Sequence, residues 1–151
     1  MKREHRISAG AIVLQKDEIL LVRYINRSGK SYLAAPGGAV NTDESTNQAA
    51  VREVLEETGI EVKPSKVLIV EDMLSKSRRI IKIWFLCQPI RGKLTKTQDA
   101  VEEGIIEAGW YRRNQLNNEI VYPDPLLKHK WDDFYNKNWQ TLYLELKKVE
   151  F

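Results

Sequence analysis

The 151-residue sequence contains a single cysteine, Cys87, so no internal disulfide can form and a reducing compartment is expected. Histidine is almost as scarce. His5 and His129 stand alone, with no partner at metal-ligand spacing, and both are expected to face solvent. No apolar run approaches the length of a membrane span. The N-terminal stretch MKREHRISAGAIVL carries charge, but its apolar part is too short and too glycine-interrupted for a signal peptide. The expected location is therefore the cytoplasm, with no membrane partner. Repeats and low-complexity tracts are missing, which excludes a solenoid or a disordered linker. Charge of one sign is also in short supply: 24 basic against 21 acidic residues leave +3, with a sequence pI of about 8.9. So small an excess does not point to a nucleic-acid binder, although its sign suits a phosphate-bearing partner.

What is present fits a soluble globular chain: 42% hydrophobic and 30% charged residues. The length predicts one domain over residues 1–151, as a monomer or homodimer, able to bury roughly 70% of its unfolded surface. Two β-rich runs, residues 6–14 and 18–24, flank Gln-Lys-Asp and read as a hairpin. A short strand at residues 32–35 leads into Pro36-Gly37-Gly38. Residues 45–58 turn helical, and Gly59 supplies the stop. Pro64 limits the next strand to residues 66–72. Residues 78–87 alternate most clearly, with Ile80, Lys82, Trp84 and Leu86 on one face and Ile81, Ile83, Phe85 and Cys87 on the other. An acidic loop at residues 98–103 precedes a strand at 105–111. Asp124-Pro125 reads as an N-cap and first turn of a helix reaching Asn136, and residues 141–149 are expected to return to the sheet. This order predicts an α/β fold with a mixed sheet covered by helices.

The chemistry concentrates on the helix at residues 45–58. At 100° per residue, Glu53, Glu56 and Glu57 share one arc of roughly 100°, and Val51, Val54, Leu55 and Thr58 fall almost opposite. Acids at i, i+3 and i+4 repel by a few tenths of a kcal/mol per pair, and the helix C-terminus disfavours them further. Arg52 can pair with Glu56 but cannot neutralise three carboxylates. A divalent cation can, and clustered hard oxygens suit Mg2+, with Mn2+ as a possible substitute. A solvated acidic face is the alternative. Gly37 and Gly38 would let backbone N–H groups approach an anion, and Glu44 precedes the helix start.

Gly38, Glu44, Arg52, Glu53, Val54, Glu56, Glu57, Gly59 and Ile60 resemble the Nudix box at every specified position. A chance match in a chain of this size is on the order of one in ten million. The resemblance implies an α/β/α sandwich with a mixed sheet. It also implies magnesium-dependent hydrolysis of the pyrophosphate in a nucleoside diphosphate linked to another group. Carried over by position, Glu56 and Glu57 look like metal ligands, Glu53 like a further ligand or the base that activates water, and Arg52 like the arginine that orients these acids. Glu44 would assist through charge or water. The family often supplies another catalytic or metal-binding acid from a loop beyond the box, and here Glu103 is the choice over Asp99 and Glu102, with an ordinary acidic surface loop as the alternative. Arg23 looks like a basic residue near the substrate phosphates, alongside Gly37 and Gly38.

The leaving group stays open. A proline or tyrosine marker about fifteen residues past the box is missing, since that region reads Met73-Leu74-Ser75-Lys76. A canonical or modified nucleoside triphosphate is expected first, and ADP-ribose or a nucleotide sugar second. Hydrolysis of an RNA 5′ end and nucleotide sensing without cleavage are the remaining readings. Tyr24, Tyr32, Trp84 and Tyr122 are candidates for stacking on a base. Arg78, Arg79 and Lys82 form a basic group that either reaches an anionic substrate or serves as solvated edge-strand residues, the latter slightly favoured, and Cys87 is expected in the core.

Overall fold

The computed structural model describes residues 2–150. In chain order the elements are β1 (Glu4–Gln15), β2 (Glu18–Ile25), β3 (Ser31–Ala34), β4 (Gly37–Ala39), α1 (Thr46–Thr58), β5 (Ile60–Leu74), β6 (Arg78–Gly92), α2 (Gln98–Glu102), β7 (Glu107–Arg112), β8 (Val121–Tyr122), α3 (Pro125–Lys128), β9 (Leu142–Tyr143) and β10 (Lys147–Lys148). Two 3-10 turns, Arg113–Leu116 and Trp131–Tyr135, complete it. The strands form one curled mixed sheet in the order β10-β5-β6-β1-β2-β3-β8, with β4 on β1, β7 on β2 and β9 on β5. Among the described residues no helix is long and apolar enough to cross a membrane.

β1 organises the sheet because its two ends have different partners. It runs parallel to β6 from Glu4↔Arg78 to Val13↔Cys87. On its other side it pairs with β4 at Ser8–Gly10 and with β2 at Leu14 and Gln15. The fork brings the Gly37-Gly38 strand against the middle of β1. Each face of the sheet then has its own core. Ala9, Ala11, Val13, Phe85 and Cys87 pack with Ala49, Ala50 and Val54 of α1. Small residues on both sides allow the helix to approach closely. Ile12, Leu21, Leu33, Trp84 and Leu86 pack with Leu116, Leu126 and Phe134 on the other face. Each such fully buried aliphatic or aromatic side chain contributes about 2 kcal/mol.

The fold departs from the sequence pattern at several places. The outer layer opposite α1 is not a helix reaching Asn136. α3 has four residues, and the chain is extended at His129 (φ −124, ψ 151). Side chains take the carbonyls that further turns would have used: Trp131 Nε1 donates to Leu126 O at 2.9 Å and an Arg113 N–H to Leu127 O at 2.8 Å. Asp124 is already helical (φ −49, ψ −40) and makes no capping hydrogen bond; its carboxylate meets Lys147 Nζ at 3.1 Å. His129 does not simply face solvent, because it lies half-buried edge-on to Trp139. Residues 141–149 yield only β9 and β10, two-residue parallel pairings to β5. β5 passes straight through Pro64, whose missing N–H falls at a register shift between Pro64 and Lys66. Residues 98–102 form a short helix in place of a loop. β6 is flanked on both sides by β5 and β1, so Arg78, Arg79 and Lys82 are not on an edge strand. Arg79 pairs with buried Asp72 at 2.7 Å and Arg78 with Glu4 at 3.7 Å.

Candidate active site

α1 begins with a reciprocal cap, Ser45 Oγ accepting from Gln48 N and the Gln48 side chain accepting from Ser45 N. It ends at Gly59, whose φ of 82° is the left-handed turn that glycine tolerates best. The helix is rotated relative to the sequence expectation. Ala49, Ala50, Glu53, Val54, Glu57 and Thr58 face inward, and Leu55 is 48% exposed. Two of the three acids are therefore turned into the protein, with Glu53 at 5% exposure and Glu57 at 1%.

Backbone glycines make room for them. A Cβ on Gly38 would lie 2.6 Å from Glu53 Oε1, so only a glycine lets that carboxylate rest against β4. Gly37 N donates to Glu57 Oε2 at 3.1 Å. The remaining oxygens, Glu53 Oε2 and Glu57 Oε1, are buried with no hydrogen-bond partner. Glu103, at the C-terminal end of α2, brings a third carboxylate, and ligand oxygens of Glu53, Glu57 and Glu103 lie within 4.8 Å of one another. Burial, then the Glu103 and Glu53 charges, hold the Glu57 carboxyl well above the usual carboxylate range. Burial and the charges of Glu53, Glu56 and Asp99 also raise Glu103. Unpartnered hard oxygens this close fit a divalent cation.

Arg52 holds the neighbouring acids. Its guanidinium meets Glu44 at 2.6 Å, Glu53 Oε1 at 2.9 Å, Glu56 Oε2 at 3.1 Å and Ala39 O at 3.0 Å. The Arg52 hydrogen bonds and a bond from Asn41 N hold the Glu44 carboxyl below its ordinary value. Glu56 is thus tied to Arg52 and stands outside the three-carboxylate group. Thr97 Oγ1 donates to the Glu56 carbonyl, anchoring α2 and so Glu103 to the end of α1.

Arg23 lies elsewhere in the contact network. Its fork is bidentate to Glu119 at 3.0 and 3.1 Å and also reaches Ser31 and Glu107. Trp84 is 2% exposed and donates from Nε1 to Glu71 at 2.7 Å, so it is no stacking platform. The three tyrosines gather instead: Tyr24 stacks on Tyr32 at 5.3 Å and Tyr122 meets Tyr32 edge-on at 5.8 Å. Burial raises the Tyr24 hydroxyl, and the Glu57 and Glu103 charges add to it, which sets this group on the acidic side. Cys87 is buried as expected, its thiol pushed up to about 12 by desolvation.

A NUDIX domain model matches residues 4–134. The chain belongs to the Nudix family. It is 34% identical over 120 residues to the ADP-ribose pyrophosphatase of Methanocaldococcus jannaschii, covering 78% of this chain and 71% of that protein. It is 32% identical over 115 residues to the 8-oxo-dGDP phosphatase NUDT18 of Mus musculus, covering 76% of this chain and 32% of that one. The chain thus spans about a third of the length of that relative. A Nudix hydrolase structure from Nitrosomonas europaea shares the fold, with a TM-score of 0.72 at 22% identity over 92% of this chain and 93% of that one.

Within this Nudix domain the box divides by contact. Gly38, Glu53 and Glu57 build the unpartnered centre, while Glu44, Arg52 and Glu56 form a closed network beside it. Lys82 is the residue the sequence reading misplaced. Its ammonium sits 4.3 Å from the Trp84 ring centroid, and its Cε would lie 3.1 Å from a Cβ on Gly37. The available signal was its place on the otherwise apolar face of Ile80, Trp84 and Leu86.

Proposed function

We propose that this Nudix domain hydrolyses the pyrophosphate linkage of a nucleoside diphosphate joined to another group. The buried unpartnered oxygens of Glu53 and Glu57, facing Glu103 beside Gly37 and Gly38, carry this reading. Glu53, Glu57 and Glu103 would hold a divalent cation, magnesium or manganese, while Glu56 stays tied to Arg52 beside them. Such an ion polarises a phosphoryl oxygen and neutralises charge that builds up on the phosphates. Arg52 fixes the Glu53 and Glu56 carboxylates in orientation and is itself fixed by Glu44. Gly37 N–H fixes Glu57. Glu103 is the most exposed of the three clustered acids and makes no ion pair among the described residues, which supports assigning it, in preference to Glu53, the proton from attacking water. No covalent nucleophile is required.

A canonical or oxidised nucleoside di- or triphosphate stands first as substrate, supported by the vertebrate relatives named 8-oxo-dGDP phosphatase. ADP-ribose stands second, supported by the archaeal relative. The test is a panel of 8-oxo-dGDP, the deoxynucleoside triphosphates, ADP-ribose, UDP-glucose and 5′-triphosphate RNA with Mg2+ or Mn2+. Nucleoside monophosphate release from a free nucleotide is expected, and no turnover of any member would defeat the proposal.

A further inference from the structure

Lys82 occupies a position that neither the box nor the acidic cluster explains. It lies on β6, the strand between β5 and β1, opposite Glu71 and Ser8. Its face of the strand is otherwise Ile80, Trp84 and Leu86, all buried. A lysine stem suits such a face, but its charge does not. The described hydrogen bonds and ion pairs leave its ammonium without a carboxylate partner. Glu71, the acid directly opposite, gives its Oε1 to Trp84 Nε1 instead. The ammonium rests on the Trp84 ring, and the side chain remains half-buried, so solvent still reaches it.

Its surroundings set a direction. On one side the stem crosses Gly37, whose N–H holds Glu57. On the other, Glu71 lines an open groove of about 310 Å³ bounded by Asp72, Asp124, Leu142, Leu144 and Lys147. Lys82 does not itself line the groove, but it stands opposite Glu71 in the sheet with Gly37 against its stem, between the groove wall and the backbone that holds Glu57. A substrate whose phosphates meet the carboxylate-held cation and whose remainder extends towards Glu71 would bring a phosphate oxygen near its ammonium. Desolvation destabilises the free ammonium, and the charges of Glu57, Glu71, Glu53 and Glu103 oppose that effect. A phosphate oxygen would supply the missing direct partner.

We propose that Lys82 is a substrate-binding residue that contacts a phosphate oxygen between the carboxylate centre and the groove. This rests on the pyrophosphohydrolase reading above. The test uses inorganic imidodiphosphate, which carries the phosphates without a base, titrated calorimetrically into wild-type protein, Lys82→Met, Lys82→Gln and Lys82→Arg at saturating Mn2+. Binding of Mn2+ alone is followed by electron paramagnetic resonance. Imidodiphosphate affinity should fall at least tenfold in Lys82→Met and Lys82→Gln and stay within about threefold in Lys82→Arg. Mn2+ should bind no more weakly than to wild type. With the nucleotide that wild type cleaves, KM should rise more than kcat falls. A purely structural lysine would instead lower the unfolding temperature and leave imidodiphosphate affinity alone. Equal affinity in wild type and Lys82→Met, or no binding to wild type, overturns the inference. If wild type cleaves the nucleotide panel under the same conditions, the proposed function survives that result.

Discussion

The two halves of the acidic cluster at α1 adjoin each other and differ in whether their carboxylate oxygens have cationic partners. In the Arg52 half, Glu44, Glu56 and one oxygen of Glu53 have cationic partners at 2.6–3.1 Å. In the other half, Glu53 Oε2 and Glu57 Oε1 are buried with none. A buried unpartnered carboxylate oxygen costs free energy, and native proteins tolerate few. On the proposed reading the paired half is scaffold and the unpaired half is kept for a ligand.

Glu57→Gln attacks the unpaired half directly. It retains an acceptor for Gly37 N–H and removes the charge. Activity should fall by about 10³-fold in kcat. The metal-free protein should nevertheless unfold at a higher temperature at pH 8, because a buried repelled charge is gone. Opposite movement of activity and stability is the signature, and a parallel loss of both would undo the division. Arg52→Ala attacks the paired half. It strips three carboxylates of their cation and should lower activity by roughly 10–100-fold and stability by about 2 kcal/mol, measured by urea unfolding. Here activity and stability move together.

Gly38→Ala tests the boundary between the halves. The new methyl would fall 2.6 Å from Glu53 Oε1, so that carboxylate must swing off both Arg52 and the centre. About a tenfold loss of turnover is expected, smaller than either charge change because the ligand set survives. Gly29→Ala is the control. Nothing lies within 4 Å of its Cβ, but its φ of 84° strains an alanine there, so it should lower stability somewhat and leave turnover unchanged.

Most of the fold was legible because alternation and capping are local. The β1–β2 hairpin, α1 with its Gly59 stop and the β6 faces follow from residues close in sequence. The C-terminal third was not legible, since α3 stops where Arg113 and Trp131, not neighbouring amides, satisfy its carbonyls. At the site, the box placed Glu53, Glu57 and Arg52 on one helix, but their rotation into the protein depends on Gly37 and Gly38 against Ala9 and Gly10 of β1. Lys82 was misread because the status of β6 as an inner strand is set by β1, about seventy residues away. Arg23 followed the family pattern, whereas its Glu119 partner is 96 residues distant.

The smallest expected effect is the pH dependence of stability in chelator-treated protein. Glu57 and Glu103 have folded values raised above the ordinary 4.5. Between 4.5 and those raised values the folded state keeps protons that the unfolded chain has released. Stability therefore falls as pH rises through that window, by at most about 1.4 kcal/mol per unit for each group. Lys82 works with the opposite sign. Its folded value lies below 10.5, so between that value and 10.5 the unfolded chain holds the extra proton and stability rises with pH. Urea midpoints of metal-free protein should trace a shallow trough with an acid arm from the glutamates and an alkaline arm from the lysine. Saturating Mg2+ or Mn2+ should reverse the slope of the acid arm, because the ion binds only released carboxylates. Lys82→Met should remove the alkaline arm while Glu57→Gln shortens the acid one. Because the Glu57 and Lys82 charges act on each other, each substitution should also shift the other arm slightly; an alkaline arm that survives Lys82→Met intact would belong to another group and overturn this assignment.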